Sequence, residues 1–194
     1  MSTAPHWPRF EETLPGLLGP QHEALARELR FMVTQLEEGA THDPAVAARQ
    51  LAKASLFELL VPAKDGGRPM APTSDDRVDV RSLCLVREAL GHCSPLCDSI
   101  FAVQGLGSYP VVLSQGAAHR GEILARVVKG ETIGGFALTE PDAGSDIASM
   151  KTTARKDDEG WLLDGEKVFI SNVGIAHHYV VFANANPEAG KKGI

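Results

Sequence analysis

Hydrophobic residues in the first part of the chain recur at the three- and four-residue spacing that places side chains on one face of an α-helix. The first such segment begins at Pro20, and its apolar positions run from Leu25 to Leu36 before Gly39, which is predicted to end the helix. Residues 1–19 contain several prolines and glycines and predict an irregular lead-in. Further helix starts, each marked by a capping side chain, are predicted at Asp43, Asp79 and Ser94.

Two glycines are predicted to end helices in the second half of this region. The helix from Ser94 is predicted to run toward Gly105, with a separate short helix over residues 109–113. The last helix is predicted over residues 117–129, with Gly130 as its stop. Short connections between amphipathic helices are typical of bundles, so residues 20–130 predict an all-helical bundle.

After residue 130 the pattern changes to short, β-prone segments. Strands are predicted over residues 152–156, 161–163, 166–171 and 179–183. Asp164-Gly165 is a two-residue hairpin signal, which predicts that residues 166–171 return beside residues 161–163. The predicted fold class is α+β, with an N-terminal helical domain over residues 1–130 and an incomplete antiparallel β-barrel or sandwich over residues 131–194.

The predicted β-region is unfinished where the sequence ends, at Ile194. A few strands with exposed edges neither close a barrel nor cover a sandwich. We therefore expect the chain to be truncated or to be completed by another polypeptide.

Composition and charge narrow the classes of partner. The net charge of −6 argues against nucleic acid, and no apolar run approaches the roughly 20 residues of a membrane span. The chain has 3 cysteines, an odd number that favours reduced thiols and a cytoplasmic location. His92, Cys93 and Cys97 match no common spacing of metal ligands, so no metal site is predicted.

Two stretches combine apolar, hydroxyl and aromatic residues in a pattern that suits a flat cofactor. Phe136-Ala137-Leu138-Thr139-Glu140-Pro141 begins as a buried strand and continues into the loop Gly144-Ser145-Asp146. In Lys167-Val168-Phe169-Ile170-Ser171-Asn172 a ring and a hydroxyl alternate, which on a strand places both on one face. Hydroxyls and backbone amides at a strand end can hold such a cofactor and its phosphates.

Together the two stretches resemble the flavin-binding signature of the acyl-CoA dehydrogenase family. The likeness covers almost the whole chain, since helices come first, Gly134-Gly135 precedes the first stretch, and Gly160-Trp161-Leu162-Leu163-Asp164-Gly165-Glu166 precedes the second. The order and spacing of these segments are more specific than an isolated glycine motif. Two positions depart from the family, which usually has Trp at Phe169 and often Thr at Ser171. Phenylalanine keeps the ring and serine keeps the hydroxyl.

The resemblance implies FAD as the cofactor and assigns residues to it. In the family, the strand backbone and the Thr139 hydroxyl face the pyrimidine edge of the flavin, and Ser145 lies near the pyrophosphate and the thioester of the substrate. Phe169 would cover one face of the ring system, and the Ser171 hydroxyl would point at N5. The cofactor-binding residues implied in this way are Phe136, Ala137, Leu138, Thr139, Gly144, Ser145, Phe169, Ile170 and Ser171.

The resemblance also assigns an acyl-binding helix face. Asp98, Ala102 and Leu106 are separated by four-residue steps, so they share one face of a helix. In the family the matching helix lines the acyl pocket, and Ser145 adds a further substrate contact. Plain bundle packing explains the same spacing equally well. In most family members the catalytic Glu belongs to a further helical domain, which we expect to lie outside this sequence, so no catalytic residue is predicted in this chain.

The function implied is FAD-dependent α,β-dehydrogenation of an acyl-CoA in fatty acid metabolism. Electrons would leave to an electron-transferring flavoprotein, and the complete protein would be a homo-oligomer, either a dimer or a tetramer. Two alternatives remain open. One is a non-catalytic binding or assembly subunit completed by a partner chain, and the other is an acyl-CoA oxidase or flavin monooxygenase of the same superfamily. The 194-residue chain by itself is expected to bind FAD weakly or not at all.

Overall fold

A computed structural model of the protein describes residues 16–38 and 42–194. Its helical part confirms the bundle expected from the sequence. The lead-in over residues 1–15 and the predicted helix stop at Gly39 lie outside the described residues. The α-helices are α1 (Pro20–Glu38), α2 (Pro44–Lys53), α3 (Val80–Cys93), α4 (Pro95–Leu113) and α5 (Arg120–Val128), with 3-10 turns at Leu56–Leu60 and Ala63–Asp65.

Three helices begin at the capping residues expected from the sequence. The Asp43 carboxylate accepts hydrogen bonds from the backbone N–H groups of Ala45 and Val46 at the start of α2. Asp79 accepts one from Ser82 at the start of α3, and Ser94 accepts one from Cys97 at the start of α4. These side chains satisfy amide donors that the first helical turn leaves unpaired.

Helix α4 is longer than the sequence predicts. It passes through Gly105 and includes Pro110, so the predicted stop at Gly105 and the separate helix over residues 109–113 are wrong. The glycines serve close packing instead, since a Cβ added to Gly107 would lie 2.9 Å from the Cα of Gly134. Glycine in a helix interior costs about 1 kcal/mol relative to alanine. The close contact between Gly107 and Gly134 explains why a glycine is nevertheless present there. The last helix starts at Arg120 rather than at residue 117.

Helix α4 occupies the centre of the bundle. It packs against α2, α3, α5 and the 3-10 turn at Leu56–Leu60. Within the described residues it is also the one helix long and apolar enough, by length and composition alone, to cross a membrane. Its central position accounts for that composition, because buried side chains such as Ile100 and Phe101 belong to the main core cluster.

The β-region confirms the α+β class and changes one pairing. The strands are β1 (Gly134–Ala137), β2 (Thr153–Lys156), β3 (Trp161–Asp164) and β4 (His178–Val181). Strands β2 and β3 are antiparallel, as expected, whereas β1 and β4 are parallel, with Gly134 opposite His178. The parallel pairing of β1 and β4 departs from the antiparallel sheet predicted from the sequence. It is possible because the connection between these two strands, residues 138–177, is long enough for the chain to return and run in the same direction.

The hairpin turn lies at a different position from the one that Asp164-Gly165 predicts. The chain reverses between β2 and β3 at residues 157–160, where the Asp157 carboxylate accepts hydrogen bonds from the amides of Glu159 and Gly160. Asp164 instead ends β3, and Gly165 passes so close to Thr152 that an added Cβ would lie 2.6 Å from its Cα. Residues 166–171 form no strand, so that prediction is wrong.

Candidate functional site

The two stretches singled out in the sequence lie side by side at the end of β1. The Val168 amide donates a hydrogen bond to the Thr139 carbonyl oxygen at 2.9 Å. Further along, the Asn172 side-chain amide donates to the Gly134 carbonyl oxygen at 3.0 Å. The second stretch therefore runs along β1 in the opposite direction, held at both ends, although it is not a regular strand.

A buried ion pair fixes this arrangement. Lys167 Nζ lies 2.9 Å from Glu140 Oε1 and also donates to the Leu138 carbonyl oxygen at 3.0 Å. The Glu140 side chain is 3% exposed, and its carboxylate accepts hydrogen bonds from the backbone amides of Lys151 and Thr152 at 2.6 and 2.9 Å. Burial alone would raise the pKa of Glu140, but the hydrogen bonds from Lys167, Thr152 and Lys151 outweigh it and lower that pKa to about 2.

Phe169 does not stand in a strand beside Ser171. Its backbone has a φ of +56°, in the left-handed region, and its side chain is 92% exposed. Ser171 is exposed, while Thr139 and Ile170 are half-buried. The result is an exposed aromatic ring on a segment whose backbone is held by hydrogen bonds on both sides of it. An exposed ring in such a place can stack on a flat aromatic ligand.

The loop over residues 140–146 is held by hydrogen bonds at its start and is exposed to solvent at its tip. The Glu140 amide donates to the Ala143 carbonyl oxygen at 3.0 Å, which closes a tight turn. Gly144 and Ser145 follow it and are exposed. Asp146 then caps the 3-10 turn Ile147–Ser149 by accepting a hydrogen bond from the Ala148 amide. Ala137, by contrast, is 6% exposed and can offer a ligand only its backbone.

An apolar cleft opens between α3, α4 and β1. Its volume is about 490 Å³, which is within the range of small-molecule sites. The predicted acyl-binding residues Ala102 and Leu106 both line it, and so does Phe136, which the sequence assigned to the cofactor. The remaining lining residues are Leu60, Val78, Val80, Leu83, Arg87, Gly105, Tyr109 and Pro110.

Asp98 shares the helix face of Ala102 but is not among the residues that line the cleft. Both of its carboxylate oxygens bind the Arg87 guanidinium, Oδ1 to Nε at 2.9 Å and Oδ2 to Nη2 at 2.7 Å. Arg87 does line the cleft. Asp98 therefore bears on the cleft through Arg87 rather than by direct contact.

Gln104 joins the helical bundle to β1. Its side chain is fully buried, and its amide donates to the Thr132 carbonyl oxygen at 2.9 Å. Its oxygen accepts the Gly134 amide at 2.6 Å. Since Gln104 lies between the cleft residues Ala102 and Gly105, one helical turn both lines the cleft and holds the strand next to it.

Sequence reasoning did not identify Arg87, Gln104 or the pairing of Glu140 with Lys167. Their partners lie 11 to 30 residues away along the chain, so no local pattern marks them. The one available signal was an amide or charged side chain at a position where a helical pattern calls for an apolar one, and Gln104 meets that description. Within residues 16–38 and 42–194, no group of three or more His, Cys, Asp or Glu side chains is placed to hold a metal ion.

Comparison with protein families and known proteins gives a consistent result. Residues 135–194 match the family model of the acyl-CoA dehydrogenase middle domain. An acyl-CoA dehydrogenase of Bacillus subtilis is 30% identical over 170 residues, which cover 87% of this chain and 43% of that protein. The chain thus spans less than half the length of this curated relative.

Solved structures agree with both the fold and the sequence. Butyryl-CoA dehydrogenase from Megasphaera elsdenii superposes with a TM-score of 0.74 at 26% identity, covering 91% of this chain and 47% of that one. A glutaryl-CoA dehydrogenase from Mycobacterium smegmatis in complex with FADH2 gives a TM-score of 0.68 at 27% identity, covering 88% and 44%. The resemblance inferred from the sequence motifs is confirmed.

Proposed function

The chain belongs to the acyl-CoA dehydrogenase family, and we propose that it takes part in FAD-dependent α,β-dehydrogenation of an acyl-CoA thioester. One observation carries the proposal: β1 and the residues that directly follow it contribute to both candidate sites. Phe136 of β1 lines the apolar cleft, and Thr139, three residues on, is bonded to the segment that presents the Phe169 ring. An acyl chain in the cleft and a flavin beside Phe169 would therefore approach each other across one strand.

The residues at the end of β1 fit a flavin. Phe169 offers an exposed ring, and the hydroxyls of Thr139 and Ser171 offer donors for a polar edge. When bound, FAD would accept the hydride that leaves Cβ of the acyl group. The Lys167–Glu140 pair keeps these groups in position, because Lys167 binds the Leu138 carbonyl one residue before Thr139. Preorganised donors stabilise charge without reorganising during the reaction.

The acyl tail fits the cleft by size and polarity. Ala102, Leu106 and Phe136 line it with small, aliphatic and aromatic surface, and burial of such surface favours an alkyl chain by about 0.8 kcal/mol per CH₂ group. Gly144 and Ser145 remain our predictions for contacts with the cofactor phosphates and the thioester. We assign the base that removes the α-proton to none of the described residues.

The activity is proposed for the whole protein, because the chain spans only 43% of its Bacillus relative. An electron-transferring flavoprotein is the acceptor that we propose, with a homo-oligomer as the assembly and the cytoplasm as the location. The odd number of cysteines supports the proposed location, because it favours reduced thiols.

A crosslinking experiment tests the acyl site on the chain as it stands. An acyl-CoA with a diazirine at the end of its acyl tail is bound and irradiated, and the labelled peptides are identified by mass spectrometry. We expect label on peptides carrying α3 or residues 102–110, with protection by excess unlabelled acyl-CoA. Label spread over the surface, or confined to β2 and β3, would contradict the acyl cleft.

A second experiment tests the reaction. The whole protein, supplied with FAD under anaerobic conditions, should lose its flavin absorbance when acyl-CoA is added, and an electron-transferring flavoprotein should restore it. Rapid restoration by oxygen alone would instead favour the oxidase alternative.

A further inference from the structure

We propose that Asp98 makes the acyl cleft selective for an uncharged acyl tail, by neutralising the guanidinium of Arg87. This inference rests on the proposed function, since it takes the cleft as the acyl site. Of the described residues that line the cleft, Arg87 alone carries a charge. The state of that charge therefore decides whether the cleft can bind an acyl group with a second carboxylate at its far end.

The ion pair leaves no free carboxylate oxygen. Arg87 Nε and Nη2 contact Asp98 Oδ1 and Oδ2 at 2.9 and 2.7 Å, so the two planar groups form a bidentate pair. The pairing raises the pKa of Arg87, which stays protonated. A ligand carboxylate could bind Arg87 only by displacing Asp98 or by coming close to the negative charge of Asp98.

The Arg87–Asp98 pair lies at the end of the cleft where we expect the tail of the acyl group. The α4 residues that line the cleft begin at Ala102, and Asp98 lies one helical turn before it. Helix α4 meets β1 at Gly107, which lies nine residues, or about 13.5 Å of helix, beyond Asp98, so the pair lies away from the β1 side of the cleft. The Arg87 side chain is 53% exposed and that of Asp98 20%, so the pair meets solvent and can meet a ligand.

Charge balance then predicts which tails are accepted. A hydrocarbon tail makes apolar contacts with the cleft and leaves the ion pair intact. A carboxylate tail loses hydration and finds a neutral pair in place of a free cation, so the cleft disfavours it. Removal of the Asp98 charge alone would free Arg87 to bind such a tail, because guanidinium and carboxylate groups match in shape and charge.

Two six-carbon acyl-CoAs isolate this effect. Hexanoyl-CoA and adipoyl-CoA share the CoA part and the chain length and differ in the terminal group. Their dissociation constants are measured by titration calorimetry for the wild type and for Asp98→Asn. We expect Asp98→Asn to bind adipoyl-CoA about three- to tenfold more tightly than the wild type does, and hexanoyl-CoA within about twofold of it. Added salt should reduce the gain.

Further variants separate recognition from stability. Arg87→Met in the Asp98→Asn background should abolish the gain, and Arg87→Met alone should weaken adipoyl-CoA binding below the wild-type level, because Asp98 is then unpaired. That single variant also provides the test if Asp98→Asn fails to fold. Glu28→Gln is the matched control: it releases Arg68 from a bidentate pair of similar geometry, at 3.0 and 2.7 Å, that lies outside the cleft lining.

The outcomes are distinguishable. Absence of hexanoyl-CoA binding to the folded wild type at about 1 mM ligand would contradict the proposed acyl site itself. Normal hexanoyl-CoA binding with no gain for adipoyl-CoA in Asp98→Asn, or an equal gain in Glu28→Gln, would overturn the selectivity inference and leave the acyl site standing. A loss of thermal stability with unchanged discrimination would show that the pair only joins α3 to α4.

Discussion

The side chain of Gln104 binds the backbone of Gly134, with the amide hydrogen of Gly134 donated to Oε1 at 2.6 Å. The side-chain amide of Gln104 donates to the Thr132 carbonyl oxygen at 2.9 Å. One buried side chain therefore supplies the hydrogen bonds that a neighbouring strand would otherwise give to the residues before and after Ile133. Gly107, one turn further along α4, lets the helix backbone touch Gly134 directly. The position of β1, and of both candidate sites that depend on it, is therefore set by α4.

Replacement of Gln104 by leucine should destabilise the protein by roughly 2–4 kcal/mol, because it leaves a buried carbonyl and a buried amide without partners. The leucine has similar volume, so the effect reports hydrogen bonding rather than a cavity. Urea unfolding followed by circular dichroism measures it. Thr34→Ala removes an exposed hydroxyl that bonds the Arg30 carbonyl and should change stability by at most about 0.5 kcal/mol. Equal effects of the two substitutions would contradict the role of Gln104.

Glu140→Gln should destabilise the protein by roughly 3 kcal/mol at neutral pH, because Lys167 would lose its buried counter-ion. The effect depends on pH. The folded pKa of Glu140, about 2, lies below its ordinary value of 4.5, so its stabilisation is present above about pH 4.5 and is lost as the pH falls toward 2. Urea unfolding between pH 3 and 7 should therefore show a wild-type advantage that shrinks with acid.

An exposed ion pair in the same loop provides the control for Glu140. Asp142 and Lys151 are 2.6 Å apart, with side chains 69% and 72% exposed, and solvent screens their attraction. Asp142→Asn should leave both the stability and its pH dependence close to those of the wild type. A gap between wild type and Glu140→Gln that stayed constant down to pH 3 would show that the Glu140 charge does not stabilise the fold.

Local signals in the sequence predicted local structure. Asp43, Asp79 and Ser94 cap helices because an N-cap acts within three residues, and the sequence contains all of that information. Ala102 and Leu106 line the cleft because a four-residue step keeps them on one helix face. These predictions needed no knowledge of the partner elements.

Predictions that depended on distant partners were incomplete. Asp164-Gly165 is a good turn signal, yet Asp157 forms the hairpin turn with its side chain, and Gly165 meets Thr152 instead. Asp98 has the periodicity of a lining residue, but Arg87 on another helix takes both of its oxygens. At Gly165 and at Asp98, contacts with residues distant along the chain override the local preference.

Phe169→Ala should separate cofactor binding from stability. Since the ring is 92% exposed, its loss should change the free energy of unfolding by at most about 0.5 kcal/mol. If the ring stacks on a flavin, the FAD affinity of the whole protein should fall roughly tenfold. Quenching of FAD fluorescence measures the affinity, and urea unfolding measures the stability.

A second exposed aromatic residue controls for general loss of apolar surface. Trp161 on β3 is 61% exposed and is not among the predicted cofactor residues. Trp161→Ala should leave FAD affinity unchanged. Equal FAD affinity in the wild type and Phe169→Ala, or an equal loss in both variants, would remove Phe169 from the flavin site.

Asp79 connects α1 to α3 through a buried network. His22 is fully buried, and its Nδ1 accepts the Gly19 amide at 2.9 Å, which leaves Nε2 to donate to Asp79 Oδ2 at 2.7 Å. Thr73 donates to the other carboxylate oxygen at 2.9 Å. Burial would raise the pKa of Asp79, but these donors and Ser82 hold it well below its usual range. Both oxygens therefore act as acceptors.

Asp79→Asn should destabilise the protein by roughly 2–3 kcal/mol, because an amide NH₂ would face a donor at one of the two positions. Its effect should diminish as the pH falls below the ordinary value of 3.8, because the unfolded wild type then binds a proton at Asp79 that the folded protein does not bind, and the stabilisation by the charge decreases. The same substitution at the exposed N-cap Asp43 should change little, since asparagine caps a helix about as well as aspartate. Matching losses at Asp43 and Asp79 in urea unfolding would mean that Asp79 acts only as a helix cap.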